Sequence, residues 1–526
     1  MSRSAHIIQK ISDLPEHYNC VDILEHNLAE RPDKIALYSV EREMTFRQVS
    51  QEVNQAGNAL KKLGVRIGDC VALISLDLPE WVTSFFGILK VGGVAVGMST
   101  TLTPREYAYM LDDCRARILI VSESLLPQIQ KITAERQFLE HVVVIGQPAR
   151  KSDLAYVDWI KGESTELSTA PTHRDDFCTL NYTSGTTGNP KGIPHAHKDM
   201  PISSQLYTVN KLGLKENDRT FSVARLFFTY GLGVTLFSSW HVGASTVLCS
   251  KPPRLATNVL ETIDRFKPTF LFSVPTAYAS LLAVEGFERY DLSSLRMCVA
   301  AGEALPVPVW HSWKEKTGLK IVESMGTTEA FALFLSNDPS DPHCDTTGKV
   351  VEGFELKIMD ENGQEVRPGE IGDLFVKGET FSLFYLHQYH RTQYYFRGEW
   401  LYTGDKFYAD EEGFYHYAGR ADDMLKVGGI WVSPVEIEHT LRTHEAVFEC
   451  CVMGYPDRDE LIKPKAFIGL RKGYTPSEEL GNQLIEHCKA NMAAYKRPRW
   501  IEFMSELPKT ATGKIQRSAL RYVATR

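Results

Sequence analysis

The order of apolar and polar positions predicts a succession of short buried strands and helices. Cys70-Val-Ala-Leu-Ile74 reads as a buried strand, and Pro79 opens a stretch through Leu89 with apolar residues at helical spacing. Val94–Val96 follows as a strand, Pro104–Asp113 as a helix with proline in its first turn, and Ile118-Leu-Ile-Val121 as the next strand. The rhythm returns in the strand Thr269–Ser273, the helix Pro275–Val284, the strand Met297–Ala301 and the strand-like Lys320–Glu323. This alternation predicts α/β units with parallel pairing. After about Lys349 the texture changes. Glu361-Asn-Gly363, Arg367-Pro-Gly369 and Glu411-Glu-Gly413 are turn signals between short segments, as in β-hairpins. Gly419–Gly429 is charged and punctuated by glycine, as an interdomain linker is. Beyond it lie a helix from Pro434 to about Leu441, strands near Phe448–Met453 and Ala466–Leu470, and a helix near Ser477–Met492. The fold class is therefore α/β. A large N-terminal domain, residues 1–421, has α/β layers and a β-rich portion, and a small α+β domain spans residues 422–526.

Composition narrows the function without naming it. The chain has 526 residues, 43% hydrophobic and 24% charged, enough for more than one ordinary domain with a large core. A net charge of -8 without a basic stripe argues against nucleic acid as a partner. The most apolar run, Trp81–Met98, is broken by Lys90 and Gly92-Gly93, too short and interrupted for a membrane span. It reads as a buried helix entering a strand. The first ten residues lack a signal-peptide core, so a cytoplasmic location is expected. The ten cysteines include no C-x-x-C pair and no zinc-finger spacing, and are read as reduced, mostly buried thiols. Cys450-Cys451 lies in an apolar run and is read as strand core.

The chemistry gathers at Tyr182-Thr-Ser-Gly-Thr-Thr-Gly-Asn-Pro-Lys191-Gly192. Thr183, Ser184, Thr186 and Thr187 bring hydroxyls, Gly185, Gly188 and Gly192 let backbone approach closely, and Lys191 adds a mobile positive charge. Such a loop suits phosphate oxygens. It is not a Walker loop, because the lysine lies three residues after Gly188 and is followed by Gly192. A surface turn is the alternative for the loop alone. His195 and His197 follow it and read as core-packed or capping histidines.

Further motifs accompany the loop in order: Ala301-Gly-Glu-Ala-Leu305, Ser324-Met-Gly-Thr-Thr-Glu329, Tyr402-Thr-Gly-Asp405, Gly419-Arg420 with Asp422-Asp423, and Pro508-Lys-Thr-Ala-Thr-Gly-Lys514. Together they resemble the AMP-forming adenylating enzymes, which include acyl-CoA synthetases, aryl-CoA ligases, peptide-synthetase adenylation domains and luciferases. The resemblance runs from about Ile35 to Arg521. It implies a large adenylating domain and a small mobile one carrying the catalytic lysine. It also implies two half-reactions: a carboxylate attacks the α-phosphate of ATP, and a thiol, usually that of coenzyme A, then displaces AMP.

The resemblance assigns roles. Thr183, Ser184, Gly185, Thr186, Thr187, Gly188 and Lys191 hold the β,γ-phosphates. Gly302, Glu303 and Ala304 line the adenine, with Ser324, Met325, Gly326 and Thr327 alongside. Thr328 touches the α-phosphate, Glu329 binds Mg2+, Asp405 takes the ribose hydroxyls and Arg420 reaches ribose or phosphate. Lys514 bridges the attacking carboxylate and the α-phosphate. Asp422 is the hinge, and Lys426, Gly428 and Gly429 help form the thiol tunnel.

The acid is read from Arg225–Gly233 and Met325–Asn337, which most resemble the benzoate-CoA ligase branch. The pocket so implied comprises Phe227, Phe228, Thr229, Tyr230, Gly231, Ala301, Met325, Phe331 and Ala332. No aspartate in Phe228–Tyr230 answers an amino-acid ammonium, which disfavours amino acids. Two departures stand out. Thr229 replaces the branch's usual alanine, and Ala332 its usual histidine, so a substituted benzoate, an alicyclic acid or a short branched acid stays open beside benzoate. The expected activity is an ATP- and Mg2+-dependent carboxylic acid:CoA ligase, with no membrane span and with a homodimer admitted. Loading of a carrier protein instead of coenzyme A, and a non-catalytic nucleotide-binding protein, are the alternatives. Arg471, Lys472, Lys496 and Arg497 are candidates for the 3′-phosphate of coenzyme A.

Overall fold

The computed structural model describes residues 8–133, 137–183, 189–252, 255–427, 430–458, 461–493, 496–509, 515–517 and 519–520. Two large sheets carry the chain up to Val350. In the first, the spatial order is Leu154–Ala155, His141–Ile145, Ile118–Ser122, Cys70–Ile74, Val94–Gly97, Phe177–Thr183 and Lys191–Ala196. All neighbours are parallel except the last two strands, which form an antiparallel hairpin. In the second, Ile321–Thr327, Met297–Ala300, Phe270–Ser273, Arg219–Ser222, Ser245–Val247 and Ile35–Tyr38 lie parallel. Antiparallel strands close both of its edges. The expected α/β units are present, and the helix opened by Pro79 runs to Lys90.

Local chemistry sets the helix starts. Thr45 caps Phe46–Lys62 and Thr103 caps Pro104–Asp113, each with a reciprocal Gln or Glu three residues on. The helix Pro79–Lys90 is buried along almost its whole length, so its apolar residues cover every face. Trp81 stacks on Phe85 at 5.0 Å, and Phe86 meets Trp240 at 4.9 Å and Phe237 at 5.6 Å. Each such ring contributes roughly 2–3 kcal/mol of burial. This aromatic core anchors Thr229–His241, a helix with a π-helical turn at Gly233–Phe237. Such turns often mark functional sites.

The expected hairpins form an antiparallel sheet of Glu355–Met359, Gly372–Lys377, Trp400–Ala409, Phe396–Arg397 and Tyr415–Arg420. The stretch read as a linker is largely regular. Arg420 ends a strand, Ala421–Asp423 make one 3-10 turn, and Leu425–Val427 pairs with Ile430–Val432. Among its described residues the charges sit in these short regular elements.

Beyond it, Val447–Pro456, Ile462–Leu470 and Trp500–Met504 form a sheet packed by Pro434–Arg442 and Glu478–Asn491. Val432, Ile437, Leu441, Val452, Ile468 and Leu484 make its separate core. Cys450 and Cys451 are strand core, one on each face, because successive side chains alternate. Burial pushes the Cys450 thiol up to about 12. All ten cysteines are free thiols. Among the described residues no helix is long and apolar enough to cross a membrane.

Candidate active site

One cavity of about 1800 Å3 gathers most of the residues singled out from the sequence. Thr183, Lys191, Phe227, Phe228, Thr229, Tyr230, Ala301, Gly302, Glu303, Ala304, Ser324, Met325, Gly326, Thr327, Thr328, Glu329, Phe331, Ala332, Asp405 and Arg420 all line it. They come from strand ends of both large sheets and from the antiparallel sheet, where open α/β sheets place ligands. Arg442, Arg471, Lys509 and Arg517 of the C-terminal part also line it. Gly231 does not, and Asp422 stands exposed on its 3-10 turn. Ser184, Gly185, Thr186, Thr187, Gly188, Gly428, Gly429 and Lys514 lie outside the described residues, as does the side chain of Lys426.

The hairpin that carries the phosphate-type loop pairs Thr183 with Lys191 and Tyr182 with Gly192. Lys191 Nζ lies 3.2 Å from Glu329 Oε1 and 4.6 Å from the centre of the Tyr385 ring. The Tyr385 hydroxyl donates to the same Oε1 at 2.7 Å. Burial opposes the charge of Glu329. The Lys191 ammonium and the Tyr385 hydroxyl outweigh it and hold the carboxyl below its ordinary range. Glu329 thus stays an anionic oxygen donor facing the cavity, with Lys191 and Tyr385 both engaging Oε1. That donor set fits Mg2+, which takes a carboxylate together with phosphate oxygens and water.

Thr328 is held through its backbone. His195 Nε2 donates to the Thr328 carbonyl at 2.7 Å, and His195 Nδ1 faces Asp199 Oδ2 at 2.9 Å. His195 is completely buried, so it is the positioned core histidine the sequence suggested. Gly326 is required by close approach: a Cβ there would stand 2.1 Å from the Ala332 carbonyl oxygen.

Asp405 and Arg420 are partners across two strands, with Arg420 Nη1 donating to Asp405 Oδ1 at 3.0 Å. Desolvation raises the carboxyl of Asp405 from its ordinary value, and Arg420 opposes the rise. Burial opposes the charge of Arg420, and Asp405 together with the neighbouring tyrosines more than offsets it.

The aromatic part of the lining begins at Arg225, which is tied to Asp77 at 3.2 Å and to the carbonyls of Cys249 and Lys251. Phe227 and Phe228 pack ring to ring at 4.5 Å. Thr229 opens the helix, and its hydroxyl is covered without a hydrogen-bond partner. Gly231 acts behind the cavity. A Cβ there would meet the Ala224 and Arg225 carbonyl oxygens at 2.3 Å, so it lets this turn fold tightly. Phe331 takes a left-handed backbone (φ 49°), a strained setting for a bulky residue, and its carbonyl accepts from Ser203 at 2.7 Å. The Tyr207 hydroxyl donates to Ser324 at 2.8 Å, and Ser324 and Ser336 share a further buried hydroxyl–hydroxyl bond at 2.9 Å.

One residue behind the lining and one within it carried no sequence signal. Tyr385 lies in an aromatic-rich stretch without a motif, and only the fold sets it over Lys191. Glu323 directly precedes Ser324. It is buried against the cavity, accepts from the Leu305 N–H at 3.3 Å, and desolvation pushes its carboxyl up to about 8. Of the four cations proposed for a 3′-phosphate, Arg471 lines the cavity and Lys496 is paired with Glu436 at 2.6 Å.

The chain is similar to known proteins over nearly its whole length. The AMP-binding enzyme family matches residues 24–386, and the AMP-binding enzyme C-terminal domain matches residues 436–514. The benzoate–CoA ligase of Thauera aromatica is 43% identical over 97% of this chain and 96% of its own length. The crystal structure of an anthranilate CoA ligase in complex with anthranoyl-AMP superposes with a TM-score of 0.95 at 57% identity, over 98% of each chain. A benzoate CoA ligase from Burkholderia xenovorans LB400 superposes with a TM-score of 0.89 at 35% identity, over 96% of this chain and 100% of that one. With both family matches in sequence order and relatives alike from end to end, the chain belongs to the AMP-binding enzyme family.

Proposed function

We propose that this protein is an AMP-forming carboxylic acid:CoA ligase that activates an aromatic acid of the benzoate type, with a ring bearing a polar substituent as its preferred substrate. The observation that carries the reading is the single cavity in which the charged set Lys191, Glu329, Asp405 and Arg420 meets the aromatic set Phe227, Phe228, Tyr230 and Phe331. The charged set suits a nucleotide triphosphate, and the aromatic set suits a flat acid. Likeness to ligases of benzoate and anthranilate supports the substrate class. Thr229 supports the polar substituent: a rotation about its Cα–Cβ bond exchanges methyl for an unpartnered hydroxyl at the cavity surface.

In this reading a carboxylate oxygen attacks the α-phosphorus of ATP and pyrophosphate leaves. The thiol of coenzyme A then attacks the acyl carbon, and AMP leaves. Lys191, with the loop before it, holds the β,γ-phosphates. Asp405 accepts from the ribose hydroxyls, and Arg420 keeps that carboxylate in place. Thr328, fixed by His195, lies beside the α-phosphate. Glu329 holds Mg2+, which when bound offsets the charge of the phosphate oxygens. Lys514 neutralises charge that builds between acid and phosphate during the first half-reaction, and Asp422 is the hinge between residues 1–421 and 422–526. No protein nucleophile is required, so positioning and electrostatics supply the rate.

A pyrophosphate-release assay with a panel of carboxylates, with and without coenzyme A, tests this. Benzoate and aminobenzoates should give release, and the acyl-CoA should form only with coenzyme A present. Turnover of amino acids in preference to aromatic acids, or no turnover with any acid, would sink the reading.

A further inference from the structure

A second cluster of reactive side chains lies away from the cavity and takes no part in the chemistry above. Cys20, Cys178 and His197 come from three separate places: the N-terminal segment, the strand Phe177–Thr183, and the residue after the strand Lys191–Ala196. All three are fully buried, and one ligand atom from each falls within 4.8 Å of the others. His197 Nδ1 lies 3.2 Å from Cys20 Sγ and accepts the Cys20 N–H at 3.1 Å. Cys178 Sγ lies 3.4 Å from the His195 carbonyl oxygen.

The surroundings are not those of a fully satisfied core. The Tyr18 hydroxyl is buried without a hydrogen-bond partner. Buried orphan polar groups are few in folded proteins and call for an explanation. Tyr18 lies two residues before Cys20 in the chain.

We propose that Cys20, Cys178 and His197 form a binding site for a soft divalent cation of the zinc–cadmium class. Three arguments support this. First, two sulfurs and an imidazole nitrogen are the donors that such ions prefer. Second, tetrahedral zinc bonds of about 2.3 Å to sulfur place two sulfurs about 3.8 Å apart, so the cluster needs only small shifts to close on an ion. Third, the charges balance. Each thiol gives its proton to solvent as its bond to the metal forms, two thiolates cancel a divalent charge, and imidazole adds none. A neutral ligated cluster is what a fully buried position requires. Ligation through Nδ1 gives up the bond from the Cys20 N–H, which lowers the affinity below that of an open zinc site. The ion would tie the N-terminal segment to the hairpin that carries the phosphate-type loop.

Cadmium alone, added to the full chain freed of reductant and chelator, tests the proposal. A single equivalent should bind, with thiolate-to-cadmium charge-transfer absorbance. Cys20→Ala and Cys178→Ala should each weaken binding by more than about 100-fold, since even partners outside the ligand set are typically worth 10–100-fold. Alkylation of the unaltered chain in mild urea, mapped by peptide mass, supplies a readout that does not depend on any variant folding. Cadmium should protect Cys20 and Cys178 while leaving Cys298 and Cys488 as reactive as before. Equal alkylation of Cys20 and Cys178 with and without cadmium, protection at other cysteines instead, or absorbance unchanged in both folded variants would overturn the site.

Discussion

Within one cavity, the charged lining and the aromatic lining are built on opposite plans. Lys191, Glu329 and Tyr385 satisfy one another, and so do Asp405 and Arg420. A ligand entering there exchanges existing ion pairs for its own, which spares the protein the cost of bare buried charges. The aromatic lining has little such pairing. Phe227 and Phe228 pack on each other, while the Thr229 hydroxyl has no partner. The difference teaches how one site keeps a constant reagent and a variable one. The charged lining is overdetermined by mutual contacts and tolerates little change, whereas the aromatic lining is set by shape and by one or two polar atoms. One methylene of misfit costs only about 1–3 kcal/mol in such a pocket.

Four experiments would break or sharpen this contrast. The largest effect belongs to Lys514→Ala, which should slow acyl-adenylate formation by roughly 10²–10³-fold. Thiolysis of supplied acyl-adenylate should stay within a few-fold, and equal damage to both steps would remove Lys514 from the first half-reaction. Next is Glu323→Gln, which asks whether the charged lining holds one carboxyl that nothing neutralises.

The carboxyl of Glu323 is raised from an ordinary 4.5 to about 8. The folded protein therefore keeps a proton that the unfolded chain releases. That contribution is fully present below about 4.5 and is lost as pH rises to about 8. Relative to Glu323→Gln, the unaltered protein should lose on the order of 2–4 kcal/mol of stability across that window. Denaturant melts at several pH values measure it, and parallel pH profiles for the two proteins would contradict the shift.

A smaller effect is expected at Tyr385→Phe. The ring over Lys191 remains, but Glu329 loses a charge-assisted hydrogen bond, so the apparent affinity for magnesium-bound ATP should fall about tenfold with kcat nearly unchanged. A fall in kcat alone would show that Tyr385 does not act through Glu329. The smallest change is expected at Thr229→Val, which keeps the shape and removes the hydroxyl. Activity on aminobenzoate should drop about three- to tenfold against benzoate, and an unaltered ratio of kcat/KM would take Thr229 out of substrate choice.

The sequence by itself determined much of this protein. Apolar periodicity marked the strand and helix alternation of both large sheets, and Pro79, Pro104 and Pro434 marked helix starts, because these signals act over a few residues. The ordered motifs named the charged and nucleotide-type part of the cavity lining, since each keeps its backbone turn and its functional group within one short stretch. Contacts between distant segments were decided only by the tertiary structure. Tyr385 stands 56 residues from the Glu329 it holds, and Cys20 stands 177 residues from His197. Gly231 reads as pocket but serves the turn behind it, because a missing side chain has no direction until the backbone around it is placed. The stretch Gly419–Gly429 reads as a domain linker, and only the fold shows which of its charges have partners: Arg420 pairs with Asp405 and Asp423 with Arg517. Local periodicity and turn chemistry are written along the chain. Which buried groups meet, and which are left without a partner, depends on packing that brings together residues the sequence keeps far apart.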